Sequence, residues 1–495
     1  MPKISDVNLE RVFMALPRKF DWVCECHKHD LPPFTGEIHG MSQALNSKNI
    51  KQRIFWWTVV LICITGGTSM VVMVILEYIQ GPTATSTTIR LVNSLELPGI
   101  IICPKTPDSF NFTLLYNDVQ HMLPNISTTQ ATDLIVFWIA GSGLENMNDL
   151  PTWNDTYLEY LQGLYKIWSK GYDHQGFFDK IQSKYGYKCE DLFAQCVVGG
   201  TTQDCCNVLF KRQVVPRRGI CYQTKRNVNQ TEADDIGRLV INLKAPSSLT
   251  SPESNYTQAQ MIVYITDNFE YVTDFPRYYL YPFQYNRMHF TARYIDLLPS
   301  KDCTTKFFGK DTECFVKNWL FLNIILPYNC TVPYLNPPYL KTIKEIPVGT
   351  PICEPIVIAK DYYDKIQLVH SGTFGYTSND CIPGCSRWDY STTLQQGDAL
   401  SPFDGYTFNL EISYYDLQYE YLQEVMTSTI PGLMSQIGGQ FGFFLGLSII
   451  TTIQVTIFLA RTAAKRIHNF FQNRKIKEYP ISDSVAESDH RKLED

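Results

Sequence analysis

Pro431-Gly432-Leu433-Met434-Ser435-Gln436-Ile437-Gly438-Gly439-Gln440-Phe441-Gly442-Phe443-Phe444-Leu445-Gly446-Leu447-Ser448 lies inside an uncharged run from Val425 to Ala460. A membrane anchor needs little besides Leu, Ile and Val, yet this stretch holds five glycines, two glutamines and two serines. Each glycine weakens a helix by about 1 kcal/mol relative to alanine, and polar groups at membrane depth face protein or water. Gly438, Gly442 and Gly446 recur every fourth residue, on one helical face. Small residues there permit close backbone approach, as in helix dimerisation. The functional reading is a pore wall built on a broken helix. Irregular backbone in a bilayer is tolerated where it lines a water-filled path, and carbonyl dipoles there can replace an ion's hydration shell. With no charged side chain in the run, such a filter acts through dipoles whose negative ends favour cations.

A second uncharged run, Ile54 to Leu76, matches the ~20 apolar residues that span a ~30 Å bilayer core. The later run would reach ~54 Å as one straight helix, so it must tilt, break or protrude. Lys48, Lys51 and Arg53 precede the first run, and Arg461, Lys465 and Arg466 follow the second. Positive flanks stay in the cytoplasm, which predicts both termini inside and residues ~80–424 outside. The implied localisation is the plasma membrane, as a multi-pass protein.

Two signals agree with that topology. Twelve of the 15 cysteines fall in the outer segment: Cys103, Cys189, Cys196, Cys205, Cys206, Cys221, Cys303, Cys314, Cys330, Cys353, Cys381 and Cys385. An even count in an oxidising compartment predicts six disulfides. The glycosylation acceptors Asn111, Asn125, Asn154, Asn229, Asn255 and Asn329 also lie there, each in an N-x-[ST] frame. The expected layout is a cytoplasmic N-terminal region (1–53), a first transmembrane helix (54–79), an extracellular cysteine-rich domain (80–424), a pre-pore segment and pore helix (425–460) and a cytoplasmic tail (461–495).

Within the outer segment, Arg90–Cys103 reads as extended and 108–185 as helical, with Leu161, Leu164 and Trp168 at packing spacing. Strand signals occur at Met261–Ile265 and in the tyrosine-rich stretch near 278–294. Tyr406, Phe408, Leu410, Ile412 and Tyr414 alternate with polar residues, which predicts a strand buried on one face. It runs almost directly into the second apolar run, so sheet movement could pull on the membrane segment. In the leader, Cys24-Glu25-Cys26-His27-Lys28-His29 reads as a solvated tail, with palmitoylation and a cramped zinc site as alternatives. Net charge is −6, so no broad basic surface for nucleic acid is implied. No P-loop, HExxH or G-x-S-x-G motif marks an enzyme, and no cofactor is expected.

The run Gly438-Gly439-Gln440-Phe441-Gly442-Phe443-Phe444-Leu445-Gly446-Leu447-Ser448 resembles the second-span signature of the degenerin, epithelial sodium channel and acid-sensing ion channel family. Further points of resemblance are His39-Gly40 ahead of the first span, Leu97–Cys103, Gly219-Ile220-Cys221-Tyr222, Leu298-Pro299 with Cys303, and Cys381-Ile382-Pro383-Gly384-Cys385. Together they cover about residues 39–460.

The resemblance implies an α+β membrane protein with two transmembrane helices, the second broken. It also implies a hand-like, disulfide-rich extracellular domain with palm, thumb and fingers. It implies a homo- or heterotrimer passing sodium ions, amiloride-sensitive, gated by an unknown extracellular ligand. It assigns Gly446-Leu447-Ser448 to the selectivity filter, Ser435 with Gly438, Gly439 and Gly442 to the pore and gate, and His39-Gly40 to gating. By the same resemblance Cys103 pairs with Cys221, Cys196 pairs with Cys205 or Cys206 and Cys189 with the other. The remaining six cysteines would staple a thumb-like region. Three departures stand out: Gln454 where the family carries an acid, Leu447 where it carries a small residue, and Gln436 after the gating serine. Glu420 and Glu424, just before the second run, are candidates for gathering cations at a pore mouth. Extracellular His121, His174, His289 and His370 could titrate near neutral pH. Rival readings are an ATP-gated type of two-span trimeric channel, and a non-conducting glycoprotein receptor.

Overall fold

The computed structural model describes residues 38–105, 110–145, 153–246, 260–267, 269–270, 272, 276–300, 302–305, 315–335, 349–367 and 383–477. Cys24 to His29, Cys314, Cys381, Asn255 and His370 fall outside them. Contacts divide the chain into two compact units, one from 1–84 with 426–495 and one from Thr85 to Val425.

The Thr85–Val425 unit is built on two sheets. One holds β4 (Phe193–Val198), β5 (Thr201–Gln203), β9 (Leu239–Leu243), β12 (Gln284–Asp296), β13 (Ser386–Asp398) and β14 (Phe408–Met426), in the order β13-β12-β14-β9-β4-β5. Strand β1 (Thr83–Leu91) adds to β14. Strands β12 and β14 run parallel, with a register shift between Phe290 and Ala292, and the other paired strands on this path are antiparallel.

The second sheet holds β3 (Gly99–Pro104), β6 (Phe210–Val215), β7 (Gly219–Thr224), β10 (Met261–Thr266) and β11 (Tyr278–Leu280), in the order β11-β10-β3-β7-β6. A small ribbon pairs β2 (Leu95–Glu96) with β8 (Asn229–Gln230). Ile100, Ile102, Met261 and Val263 share one core with Leu239, Ile241, Met288, Phe290, Phe408 and Leu410, so the two sheets pack face to face. Ile101, Cys103, Ile262 and Tyr264 point to a separate core on the far side. The unbroken apolar run Ile100-Ile101-Ile102 follows from this: a strand covered on both faces has no polar side to show.

Strand β14 departs from the expected one-sided burial. Phe408, Leu410, Ile412 and Tyr414 are buried, but so are Asn409 and Ser413. The strand is central, and these two polar residues find partners inside the protein. Asn409 Nδ2 donates to Asn242 Oδ1 at 3.1 Å, and Ser413 Oγ lies 3.2 Å from His289 Nδ1. Alternation here records hydrogen bonding within a buried sheet rather than contact with water.

Four helices, α3 (Phe112–Met122), α4 (Thr128–Gly141), α5 (Asp155–Trp168) and α6 (His174–Tyr185), fill the expected helical segment; two earlier helices belong to the other unit. Asn111, Ser127, Asn154 and Asp173 cap their N-termini through side-chain oxygens, satisfying amides that have no partner within the helix. Their core centres on Trp138, ringed by Trp168, Phe177 and Phe178 at 5.8–6.1 Å. Leu161 and Trp168 are buried in it, and Leu164 packs at its margin.

Five disulfides occur among the described residues: Cys103–Cys221, Cys189–Cys206, Cys196–Cys205, Cys303–Cys385 and Cys330–Cys353. The first matches the pairing the resemblance implied. The open alternative resolves to Cys196 with Cys205. Cys103–Cys221 links β3 to its neighbour β7 directly beyond the paired Ile102 and Tyr222.

In the other unit, α1 (Met41–Asn46) precedes α2 (Ile50–Gln80), whose length and apolar composition suffice to cross a membrane. Asn49 caps the start of α2 and Gly81, at φ +61°, its end. Thr58, Thr65 and Thr68 return their hydroxyls to carbonyls one turn back, which satisfies them without water. After β14, three residues lead to α7 (Ile430–Leu445), and α8 (Ile449–Lys477) follows. Ile430–Leu445 and Ile450–Ile467 meet at 82°, and only together are they long and apolar enough to cross a membrane.

Candidate ion pathway

The bend between α7 and α8 falls on Gly446-Leu447-Ser448, and local chemistry accounts for it. Gly446 takes the left-handed conformation, φ +66° and ψ 18°, which glycine enters without steric cost. Its amide donates to the Gly442 carbonyl at 2.9 Å, and the Leu447 amide to that of Phe441 at 3.3 Å. That is how a helix is stopped. Two residues on, Ser448 starts the next one. Its Oγ accepts the Thr451 amide at 3.1 Å, and its carbonyl accepts the Thr452 amide at 3.0 Å. A stop glycine and a start serine one residue apart bring the carbonyl end of α7 and the amide end of α8 to one place.

The break is closed on one side by the chain's own N-terminal segment. The His39 amide donates to the Leu445 carbonyl at 3.2 Å. The His39 imidazole covers Gly446 so closely that a Cβ there would collide with its Nδ1 edge. Gly40, at φ +81°, turns the chain into α1, and a Cβ on it would come within 3.3 Å of Val60 on α2. His39-Gly40 and Gly446-Leu447-Ser448, about 400 residues apart in sequence, thus form one local structure.

Helices α2 and α7 meet through residues the sequence reading did not single out. Phe444 packs on Gly66 and Gly67, whose added Cβ atoms would lie 3.1 and 3.2 Å from it. The glycine pair was visible in the sequence, but its partner was not. Gly438 and Gly439 have nothing within 4 Å of a built Cβ, and Gly442 only the Leu447 carbonyl at 3.9 Å. Ser435 is exposed. The glycine face of α7 is therefore open in the single chain.

A family model described as amiloride-sensitive sodium channel matches residues 35–458. The chain belongs to the amiloride-sensitive sodium channel family. As a member of that family it is an ion-channel protein and not an enzyme. It is 21% identical over 480 residues to the bile acid-sensitive ion channel of Homo sapiens, covering 89% of this chain and 86% of that one. It is also 30% identical over 115 residues to degenerin deg-1 of Caenorhabditis elegans (22% of this chain, 13% of that one). To acid-sensing ion channel 4-B of Danio rerio it is 32% identical over 66 residues (13% and 12%).

The remaining candidates of this family member lie in the Thr85–Val425 unit. Glu420 is held by Arg293 at 2.6 Å, and Glu424 accepts the Leu298 amide at 2.9 Å. Both carboxylates near the end of β14 have partners. All five described sequon asparagines are exposed.

Of the histidines, His289 is buried and stacks on Tyr415 at 4.1 Å. His174 is buried in the helical core, and its Nδ1 donates to the Cys353 carbonyl at 2.6 Å. Burial pushes its imidazole down to about 4, so it is neutral at physiological pH. Glu145 lies against Arg217 (3.0 Å), Arg218 (2.8 Å) and Arg277 (2.8 Å). Burial opposes its charge, but the three guanidiniums win and hold its carboxyl down at about 2. Sequence spacing gave no sign of this cluster, since its members lie up to 132 residues apart. Among the described residues no group of three or more potential metal ligands occurs.

Proposed function

We propose that the chain is one subunit of a trimeric, sodium-preferring and amiloride-sensitive cation channel of the plasma membrane, gated through its extracellular domain. In this reading α2 and the bent α7–α8 pair are the two membrane spans, residues 80–424 are extracellular and both termini are cytoplasmic. Gly446-Leu447-Ser448 is the selectivity filter, and Ser435, Gly438, Gly439 and Gly442 line the path above it. His39-Gly40 braces the filter from below.

The observation that carries the reading is the helix break at Gly446-Leu447-Ser448 within an uncharged apolar segment. Backbone carbonyls released at a helix end favour a cation, and in a bilayer they are stable only beside water or protein. The break is specified locally by a stop glycine and a start serine, so it is not an accident of packing. Glu420, paired with Arg293, and Glu424, bound to the Leu298 amide, hold strand β14 in place.

The test is electrophysiology of the chain expressed alone in a heterologous cell. Acid steps, bile acids (the ligand class in the name of the human relative) and amiloride would be applied in turn. A sodium-selective, amiloride-blocked current supports the reading. Single cysteines at 435–448 should then react with a water-borne thiol reagent and reduce that current. A conducting protein in which all of them are inert would place the ion path elsewhere.

A further inference from the structure

Helix α5 begins at a sequon. Asn154 is its N-cap, with Oδ1 accepting the Tyr157 amide at 2.9 Å. That bond occupies the side-chain oxygen and leaves Nδ2, the atom that carries an N-linked sugar, on an exposed residue. The cap and the modification therefore use different atoms of one amide. Thr156 supplies the hydroxyl position of the Asn154-Asp155-Thr156 frame.

Beside Asn154 the surface opens into a concavity of ≈ 610 Å³ lined by Trp153, Asn154, Thr156, Tyr157 and Tyr160. Tyr157 and Tyr160 stack at 5.8 Å with 27° between their planes. Each ring is pinned at its hydroxyl: Tyr157 donates to Asp133 at 2.8 Å, and Tyr160 accepts from Gln130 at 3.2 Å. Trp153 packs on buried Phe137 with centroids 6.4 Å apart. The rings form a fixed apolar ledge open to solvent, and the asparagine sits on its rim.

We infer that Asn154 is N-glycosylated and that the first sugars of its glycan lie on the Trp153–Tyr157–Tyr160 ledge, covering it. The inference rests on the topology proposed above, which puts this segment outside the cell. In the attachment step the Nδ2–C1 bond replaces one amide N–H, and the C1–O bond to a lipid-linked pyrophosphate donor breaks. The displaced proton leaves with that pyrophosphate. The axial C–H bonds of a hexosamine present an apolar face, and rigid aromatic rings receive it with little ordering cost. The occupant is tethered at the rim, so its effective concentration is high without any separate binding event.

The experiment uses the full chain from a glycosylating cell. Thr156→Ala abolishes the sequon but keeps the Asn154 cap. It should remove one glycan-sized step on an endoglycosidase gel and lower the thermal midpoint of the purified protein by about 2 °C. In a Tyr160→Ala background, where the ledge is incomplete, the same substitution should change the midpoint much less. If Thr156→Ala leaves mobility unchanged while the Asn111, Asn125, Asn229 or Asn329 sequons are occupied, the inference is wrong and the topology stands. Equal effects of Thr156→Ala with and without Tyr160 would mean that the glycan does not use the ledge. If no sequon is occupied, the proposed topology falls and the inference with it.

Discussion

Phe444 of α7 rests on Gly67 of α2, and a Cβ built on Gly67 would lie 3.2 Å from the Phe444 Cβ. Even one added carbon there would press on Phe444, and a larger side chain would collide with it. Replacing Gly67 by leucine should cost about 1–3 kcal/mol of packing between the two helices and reduce surface expression and the monodisperse fraction on size exclusion. Adding Phe444→Ala should restore much of both, because the collision involves that ring. A Gly67→Leu protein as well behaved as wild type would mean the helices do not meet here.

The filter prediction follows from the stop glycine and the start serine. Gly446→Ala places a side chain in the left-handed region, costing about 1–2 kcal/mol, and drives it into the His39 ring. Ser448→Ala removes the cap on the Thr451 amide, worth about 1 kcal/mol, and frays the start of α8. Each should alter the Na⁺/K⁺ permeability ratio under bi-ionic conditions. If both leave the ratio untouched, Gly446-Leu447-Ser448 is a hinge and not a filter.

Ser435 lies on an exposed part of α7, one turn before Gly438 and Gly439. In a trimer that open face is where three such helices would converge. A bulky residue there should keep them apart, so Ser435→Val should raise resting current several-fold at equal surface expression. Unchanged resting current would remove Ser435 from the gate.

Much of the fold was legible because the local chemistry is strong. Arg90–Cys103 reads as extended, and its Ile100-Ile101-Ile102 run forms β3, with which Met261–Ile265 pairs as β10. The helices of 112–185 begin at Asn, Ser, Asn and Asp caps. What could not be read depends on partners distant in sequence. Alternation along 406–414 pointed to water on one face, yet Asn242 and His289 supply that face from other strands. Glu420 and Glu424 looked free because Arg293 and the Leu298 amide lie more than 120 residues away. The closure of His39 onto Gly446 was equally hidden: each motif could be seen in the sequence, but not that one covers the other.

The last prediction concerns acid and the helical core. His174 Nδ1 donates to the Cys353 carbonyl, beside the Cys330–Cys353 disulfide. Its Nε2 lies 3.1 Å from Ser142 Oγ, which itself donates to the Trp138 carbonyl at 2.8 Å. A second ring proton would have to enter a buried site where the Asp173 carboxylate offsets only part of the cost of burial. Burial lowers the imidazole from 6.5 to about 4, partly offset by the Cys353 bond and by the Asp173 charge. Between those values the unfolded chain holds the proton and the folded one does not. Stability therefore falls as pH drops through that window, by up to about 3 kcal/mol. Asp267 opposes this, since burial raises its carboxyl to about 6, and its folded form gains as pH falls below that value. The His174 contribution is thus a difference: thermal midpoints of wild type and His174→Gln, compared from pH 7 to pH 4. Wild type should lose stability more steeply than the variant across this range. Parallel curves would mean that the ring reaches its proton without unfolding, and that His174 is not sealed in the core as the geometry indicates.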